Sequence, residues 1–196
     1  LSGADLRGAS LIEADLSPEK WWDVRLDGAS LCKADISGDL SGASFNGATY
    51  CQGTVWPDGV PPAGAIGPGG RAPGVVREDL TLVEYDLHDL SAPDAVLPRL
   101  KMIQGGLFKA DLQRADLRGA ELRRVKAQGV DLTGADLSGA RLQGVDLTGA
   151  TLDGANLCDT DLSGATLHGT SLDGVRTCAG TRWPTVGAPA APSAGD

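Results

Sequence analysis

Four cysteines, two histidines and a string of aspartates are the residues of this 196-residue chain whose types could do chemistry. Cys32 and Cys51 stand 19 positions apart, and Cys158 and Cys178 stand 20 apart. No histidine or third cysteine accompanies either pair, so the spacing does not read as a zinc site, which needs clustered ligands. Asp86, His88 and Asp89 can be drawn as an acid/base or metal cluster. No nucleophile or metal motif surrounds them, and they read instead as a charged loop or solvated face. No catalytic residue, metal ligand or cofactor motif is assigned.

The elements that must position these residues are set by a period of five. Leucine recurs at 107, 112, 117, 122, then from 132 through 172 at every fifth position, with Ala127 the one exception. A small apolar residue stands two places before each mark, and glycine usually two places after. Steps of five advance about 140° around a helix and flip faces on a flat strand, so neither element keeps the leucines together. The chain must therefore turn a corner at each repeat, with Leu and the small residue inward, the residue between them outward, and glycine at the corner, where φ > 0 is cheap. At Ala127 the flanking Val125 and Val130 replace the usual Ala, so core volume is roughly kept. His168 then falls on the same outward position as Thr148 and reads as a surface residue.

Units such as Ala-Asp-Leu-Arg-Gly (115 to 119), Ala-Asp-Leu-Ser-Gly (135 to 139) and Ala-Asn-Leu-Cys-Asp (155 to 159) resemble the pentapeptide-repeat family. The resemblance covers most of 1 to 55 and 105 to 177. It implies an all-β fold, a right-handed parallel quadrilateral β-helix in which four pentapeptides make one coil and residues twenty apart stack at about 4.8 Å. That coil size places Cys158 against Cys178. It places Cys32 against Cys51 as well if one residue is missing near Gly38, a skip suggested by aligning 31 to 57 with 157 to 184. Cα atoms near 5 Å permit a disulfide; bridged pairs and surface thiols copied by duplication remain equal readings. The location expected is cytoplasmic, or extracellular if the cysteine pairs are disulfides, which persist in oxidising settings.

Both aligned segments end in Cys-x-Gly-Thr-x-Trp-Pro, at 51 to 57 and 178 to 184. These endings resemble those of other pentapeptide-repeat proteins, and Trp56 and Trp183 are read as caps over the apolar columns, each followed by a proline that stops further pairing. The organisation expected is thus a first array over 1 to 57, a Pro/Gly-rich linker over 58 to 79, a second array over 80 to 184 with an irregular or partly helical entry segment at 91 to 104, and a disordered tail over 185 to 196. Leu80, Tyr85 and Leu90 recur by five in what reads as a different register. The SPEK stretch at 17 to 20 is expected to bulge, which leaves two readings: Trp21 and Trp22 both partly exposed, or Trp21 filling an inward leucine site. Whether the arrays make one column or two stays open. Leu1 is not Met and already occupies a leucine mark, so the chain is expected to be cut from something longer.

Net charge is −9, but 99 to 126 carries eight bases against three acids and 131 to 196 eight acids against three arginines. No apolar run is long enough to span a membrane. The reading adopted is a non-catalytic solenoid that binds a protein partner, with no direct binding to nucleic acid. The family resemblance implies an alternative, an acidic rod that imitates duplex DNA and acts on DNA gyrase, for which Asp111 over Asp131 and Asp116 over Asp136 would supply acidic columns. A second alternative is an enzyme with a site under the 57 to 104 loop.

Overall fold

A computed structural model describes residues 1–16, 21–57 and 61–185. The expected bulge at 17 to 20 and all but the first residue of the expected tail lie outside them. Every regular element is a short strand or a single bridge, and every pairing is parallel. Strand β1 (Asp15–Leu16) pairs with β2 (Asp35–Ile36), and β3 (Thr81–Val83), β4 (Lys101–Ile103) and β5 (Glu121–Arg123) form a second sheet. Single bridges supply the remaining pairing, and in the second array four of them fall in each coil, as in Asp111↔Asp131, Asp116↔Asp136, Glu121↔Arg141 and Lys126↔Asp146. The partner offset is twenty residues, so each coil is four pentapeptides closed on itself. This is the parallel β-helix that a period of five demands, because each inward pair ends at a corner held in the left-handed region. Gly139 supplies such a corner at φ 68°, but Lys109, Arg114 and Arg124 supply others at 54 to 56°.

Registers locate the irregularities. Offsets shrink to nineteen at Arg25↔Ser44 and Ser30↔Thr49, which places the missing residue between Ile36 and Ser44, and recover to twenty at Asp35↔Val55. The recovery comes from one extra residue in the Cys-x-Gly-Thr turn, and the second copy of that turn does the same at Asp161↔Arg182, offset 21. In both copies the threonine hydroxyl explains the tolerance. Thr54 donates to the Leu31 carbonyl and accepts from the Cys51 N–H; Thr181 donates to the Leu157 carbonyl and accepts from the Cys178 N–H.

Two apolar interiors result, one centred on residues 21 to 65 and one running from Ile66 to Val175. In the second the leucine and small-residue rows are almost wholly buried, Leu117, Leu137 and Leu157 all at 0% exposure. Burial of one leucine contributes about 1.5 to 3 kcal/mol, and each coil contacts mainly its neighbours, so stability accumulates along the stack.

Residues 61 to 104 differ from expectation. They form coils: Arg71 bridges to Ser91 and Val76 to Val96, and 91 to 104 is neither irregular nor helical. The register does not change either. Leu80, Tyr85 and Leu90 stand in the small-residue row, while Leu82, Leu87, Ala92, Leu97 and Met102 hold the leucine row. Large and small residues have exchanged places at Leu90 and Ala92, which keeps volume while hiding the pattern. The two interiors are joined through Thr49↔Ile66, and Tyr50 lays its ring across Gly67 and Gly70, with its hydroxyl donating to the Pro68 carbonyl at 2.7 Å. The arrays also touch where the partly buried Arg77 guanidinium donates to the Gly47 carbonyl, and burial lowers its pKa.

Candidate binding surfaces

With the interior filled, the outward residues of the four ladders and the corners between them carry any function. Cys32 and Cys51 are brought together as a disulfide with Cα atoms 4.8 Å apart, and Cys158 and Cys178 as another at 4.6 Å. Each staples a corner beside one extra-residue turn. Trp56 is only 6% exposed and packs edge-on against Phe45 and Tyr50 at centroid distances of 5.8 and 5.4 Å; its indole nitrogen finds no acceptor among the described residues. Trp183 is half-buried against the end of the second interior beside Leu167 and Leu172. Trp21 fills a leucine site, fully buried with its indole donating to the Ser37 carbonyl at 2.7 Å, whereas Trp22 is 61% exposed.

The acidic columns are short and internally engaged. Asp111 lies over Asp131 and Asp116 over Asp136, but the next residues up are Thr151 and Asn156. Each carboxylate accepts the N–H two residues on, at 3.0 to 3.2 Å, which braces its own corner. Asp131 also accepts from Gln113, Asp136 from Asn156, and Asp116 holds a two-point ion pair with Arg118. The Arg118 contact keeps the Asp116 carboxyl below its ordinary range. Hydroxyls of Thr148 and Ser163 head the contacts that do the same for Asp146 and Asp161. The third ladder reads Lys101, Glu121, Arg141, Asp161, Arg182, alternating in sign coil by coil, with Arg141–Glu121 at 3.1 Å and Arg182–Asp161 at 3.7 Å. Sequence reading by net charge missed that alternation, because it appears only when every twentieth residue is compared.

The family model for pentapeptide repeats matches this sequence in eight copies, over residues 1–17, 107–139 and 140–176. The chain belongs to the pentapeptide-repeat family. Among solved structures, this pentapeptide-repeat protein is similar to Rfr23 from the cyanobacterium Cyanothece 51142, at 28% identity over 57% of this chain and 90% of that one, TM-score 0.32. It is also similar to HetL from Nostoc sp. strain PCC 7120, a pentapeptide-repeat protein involved in heterocyst differentiation regulation, at 28% identity over 89% and 83%, TM-score 0.34. QnrB1, a plasmid-mediated fluoroquinolone resistance protein, is similar at 17% identity over 90% of each chain, TM-score 0.27. No curated protein matches the sequence.

The fourth ladder of this repeat protein breaks open into a groove of about 700 Å³. Its floor is Gly105 and Gly106, where other repeats carry Ala and an outward side chain. Gly105 is dictated from inside: a Cβ there would meet the Tyr85 carbonyl oxygen at 2.6 Å and the Met102 side chain, since Met102 replaces leucine and its methyl group takes the alanine's place. Tyr85, too large for the small-residue row, is only partly buried, and Phe108 is 44% exposed at the next corner. Arg124 and Lys126 form the wall in the following coil, Glu84 and Asp86 the wall in the preceding one. His88, which reads from sequence as a solvated residue, accompanies Asp86: its ring Nδ1 lies 3.0 Å from the carboxylate and its N–H donates to it at 3.1 Å. Asp89 holds a left-handed corner at φ 53° and does not line the groove. His168 lies far along the same column, beside Pro184 and Thr185 in a second depression of about 590 Å³. No group of His, Cys, Asp and Glu suited to a metal ion occurs among the described residues, and no helix there is long and apolar enough to cross a membrane.

Proposed function

We propose that this chain is a non-catalytic protein-binding module, a rod whose outward ladders and corner groove meet a protein partner. The observation that carries the reading is the division of labour in each coil. Backbone N–H and C=O groups bond to the coils on either side, and the apolar side chains close the interior, so recognition falls to outward side chains held at fixed spacings of about 4.8 Å. A rigid surface of that kind binds without the entropy cost of ordering loops. The enzyme alternative placed a site beneath residues 57 to 104, but the described part of that stretch is coil wall. The DNA-mimic alternative draws on the Asp111/Asp131 and Asp116/Asp136 columns; each is two carboxylates long and partly neutralised. The two bridged cysteine pairs support an oxidising compartment, where such bonds persist, over the cytoplasmic setting read from the sequence.

Affinity capture with the biotinylated full chain, followed by measured binding of each recovered protein in purified form, tests the reading. Saturable binding to a defined protein supports it, and a chain that takes no partner refutes it. In a gyrase supercoiling assay the account expects neither inhibition nor protection, and either effect would establish the mimic instead.

A further inference from the structure

We propose that the Gly105–Gly106 groove is the recognition site of this module and takes an acidic peptide segment carrying an aromatic side chain. The proposal rests on the binding-module reading above and names the chemistry of the partner.

The groove gathers cations that hold no ion pair among the described residues. Elsewhere in the second array several arginines carry carboxylates, Arg99 on Asp79 at 2.5 Å, Arg114 on Asp94 at 2.7 Å, Arg118 on Asp116 at 2.7 Å and Arg141 on Glu121 at 3.1 Å, while Arg123 and Arg176 stand on the outer surface away from the groove lining. Arg124 and Lys126, on the groove wall, have no carboxylate partner among the described residues. Lys109 adds a third cation beside the groove, its ammonium 5.1 Å from the centre of the Phe108 ring. Three such cations gathered at one short groove match the few carboxylates of a peptide segment, whereas the extended phosphate backbone of a nucleic acid would run on past them over the acidic remainder of a chain of net charge −9.

The shape supplies the second half of the recognition. Gly106 sits on the ladder that carries Lys126, Asp146 and Thr166, and its missing side chain leaves a gap one residue wide, edged by the Asp86 carboxylate, whose Oδ1 lies 2.6 Å from where a Cβ would stand. Phe108 and Tyr85 border that gap, and about 700 Å³ falls within the size of sites that enclose a large side chain and its neighbours. A ring from the partner would lie on the glycine floor against Phe108, with flanking carboxylates reaching Arg124 and Lys126. Glu84 and Asp86 on the opposite wall, the latter held by His88, disfavour the reversed orientation.

The test uses the oxidised full chain and a fluorescein-labelled peptide, Gly-Glu-Asp-Phe-Glu-Asp-Gly, followed by anisotropy. Two variants address the groove. Arg124→Asn with Lys126→Gln removes the cations, asparagine being at ease in the left-handed corner at φ 55°. Gly106→Thr fills the gap, turning the Asp86 carboxylate aside, with the residue that Thr166 already places on the same ladder. Arg176→Gln, on a different ladder, is the control, and thermal midpoints verify that all variants fold. Saturable binding that weakens at least tenfold in both groove variants, weakens with salt and is unchanged in the control is the expected result. Equal affinity in the groove variants, equal binding of the Gln/Asn version of the peptide, or no saturable binding overturns the proposal. So does a groove-dependent affinity for a deoxythymidine decamer that exceeds that for the peptide. A partner protein that binds the groove variants as tightly as the natural chain would remove the groove and leave the binding-module reading standing.

Discussion

Replacing Leu137 with alanine should cost about 3 to 4 kcal/mol, the middle of the range for buried leucines whose surroundings do not collapse. Leu137 is completely buried, and the stacked Leu117 and Leu157 above and below are equally so. The cavity is therefore closed on both sides by coils whose backbones are pinned to one another. The same change at Leu172, only partly buried at the column's end, should cost about 1 to 2 kcal/mol, since less area leaves contact and no closed cavity forms. The sequence contains its own compensation: at Ala127 the neighbours are Val125 and Val130. Adding Ala135→Val and Ala140→Val to Leu137→Ala should thus recover about half the loss. Guanidinium unfolding monitored by circular dichroism measures all three. Equal losses at 137 and 172, or a triple variant less stable than the single one, would mean that the leucine and small-residue rows do not share one interior.

Reduction of both disulfides should lower stability by about 2 to 4 kcal/mol per bond, given loops of 19 and 20 residues, and peptide mapping under non-reducing conditions should find Cys32 joined to Cys51 and Cys158 to Cys178; any crossed link contradicts the coil count. Gly139→Ala should cost about 1 to 2 kcal/mol although nothing lies within 4 Å of the added carbon, because the corner is left-handed; a silent change in thermal melting would refute that cause. Asp116, Asp146 and Asp161 have lowered carboxyl pKa values in the fold, so their contribution is fully present above the unfolded value of about 3.9 and is lost as pH falls through the folded values. The melting midpoint should hold from pH 7 to about 5 and fall below about 4, and a midpoint that rises on acidification would show that the carboxylates repel more than they bond.

Much of the fold was legible because one row of leucines repeats without interruption over 132 to 172; Ala127 was readable as a compensated gap. The stretch from 61 to 104 was not, since Leu80, Tyr85 and Leu90 stand in the row meant for alanine and so present a false register. The skip near Gly38 could be read by aligning the two array ends, but the extra residue in each Cys-x-Gly-Thr turn could not, because it occurs in both copies and alignment cancels it. Trp21 was undecided between core and surface on sequence grounds, and settles inward where an acceptor, the Ser37 carbonyl, awaits its N–H. The groove depends on absent side chains at 105 and 106 and on residues twenty apart in the chain. A Gly-Gly pair after methionine, where Ala-Asp after leucine is usual, was the available signal.

The claim that this rod works by binding a protein through its outward surface is tested most directly by site-specific photocrosslinking. Benzoylphenylalanine replaces Phe108 at the groove, or Ser138 on a distant corner, in the full chain exposed to extract of the cells that make it. The account predicts one discrete protein adduct from position 108, suppressed by the Gly-Glu-Asp-Phe-Glu-Asp-Gly peptide, and none from 138. The absence of any adduct at 108, or adducts of equal yield from both positions that the peptide leaves unchanged, would contradict it.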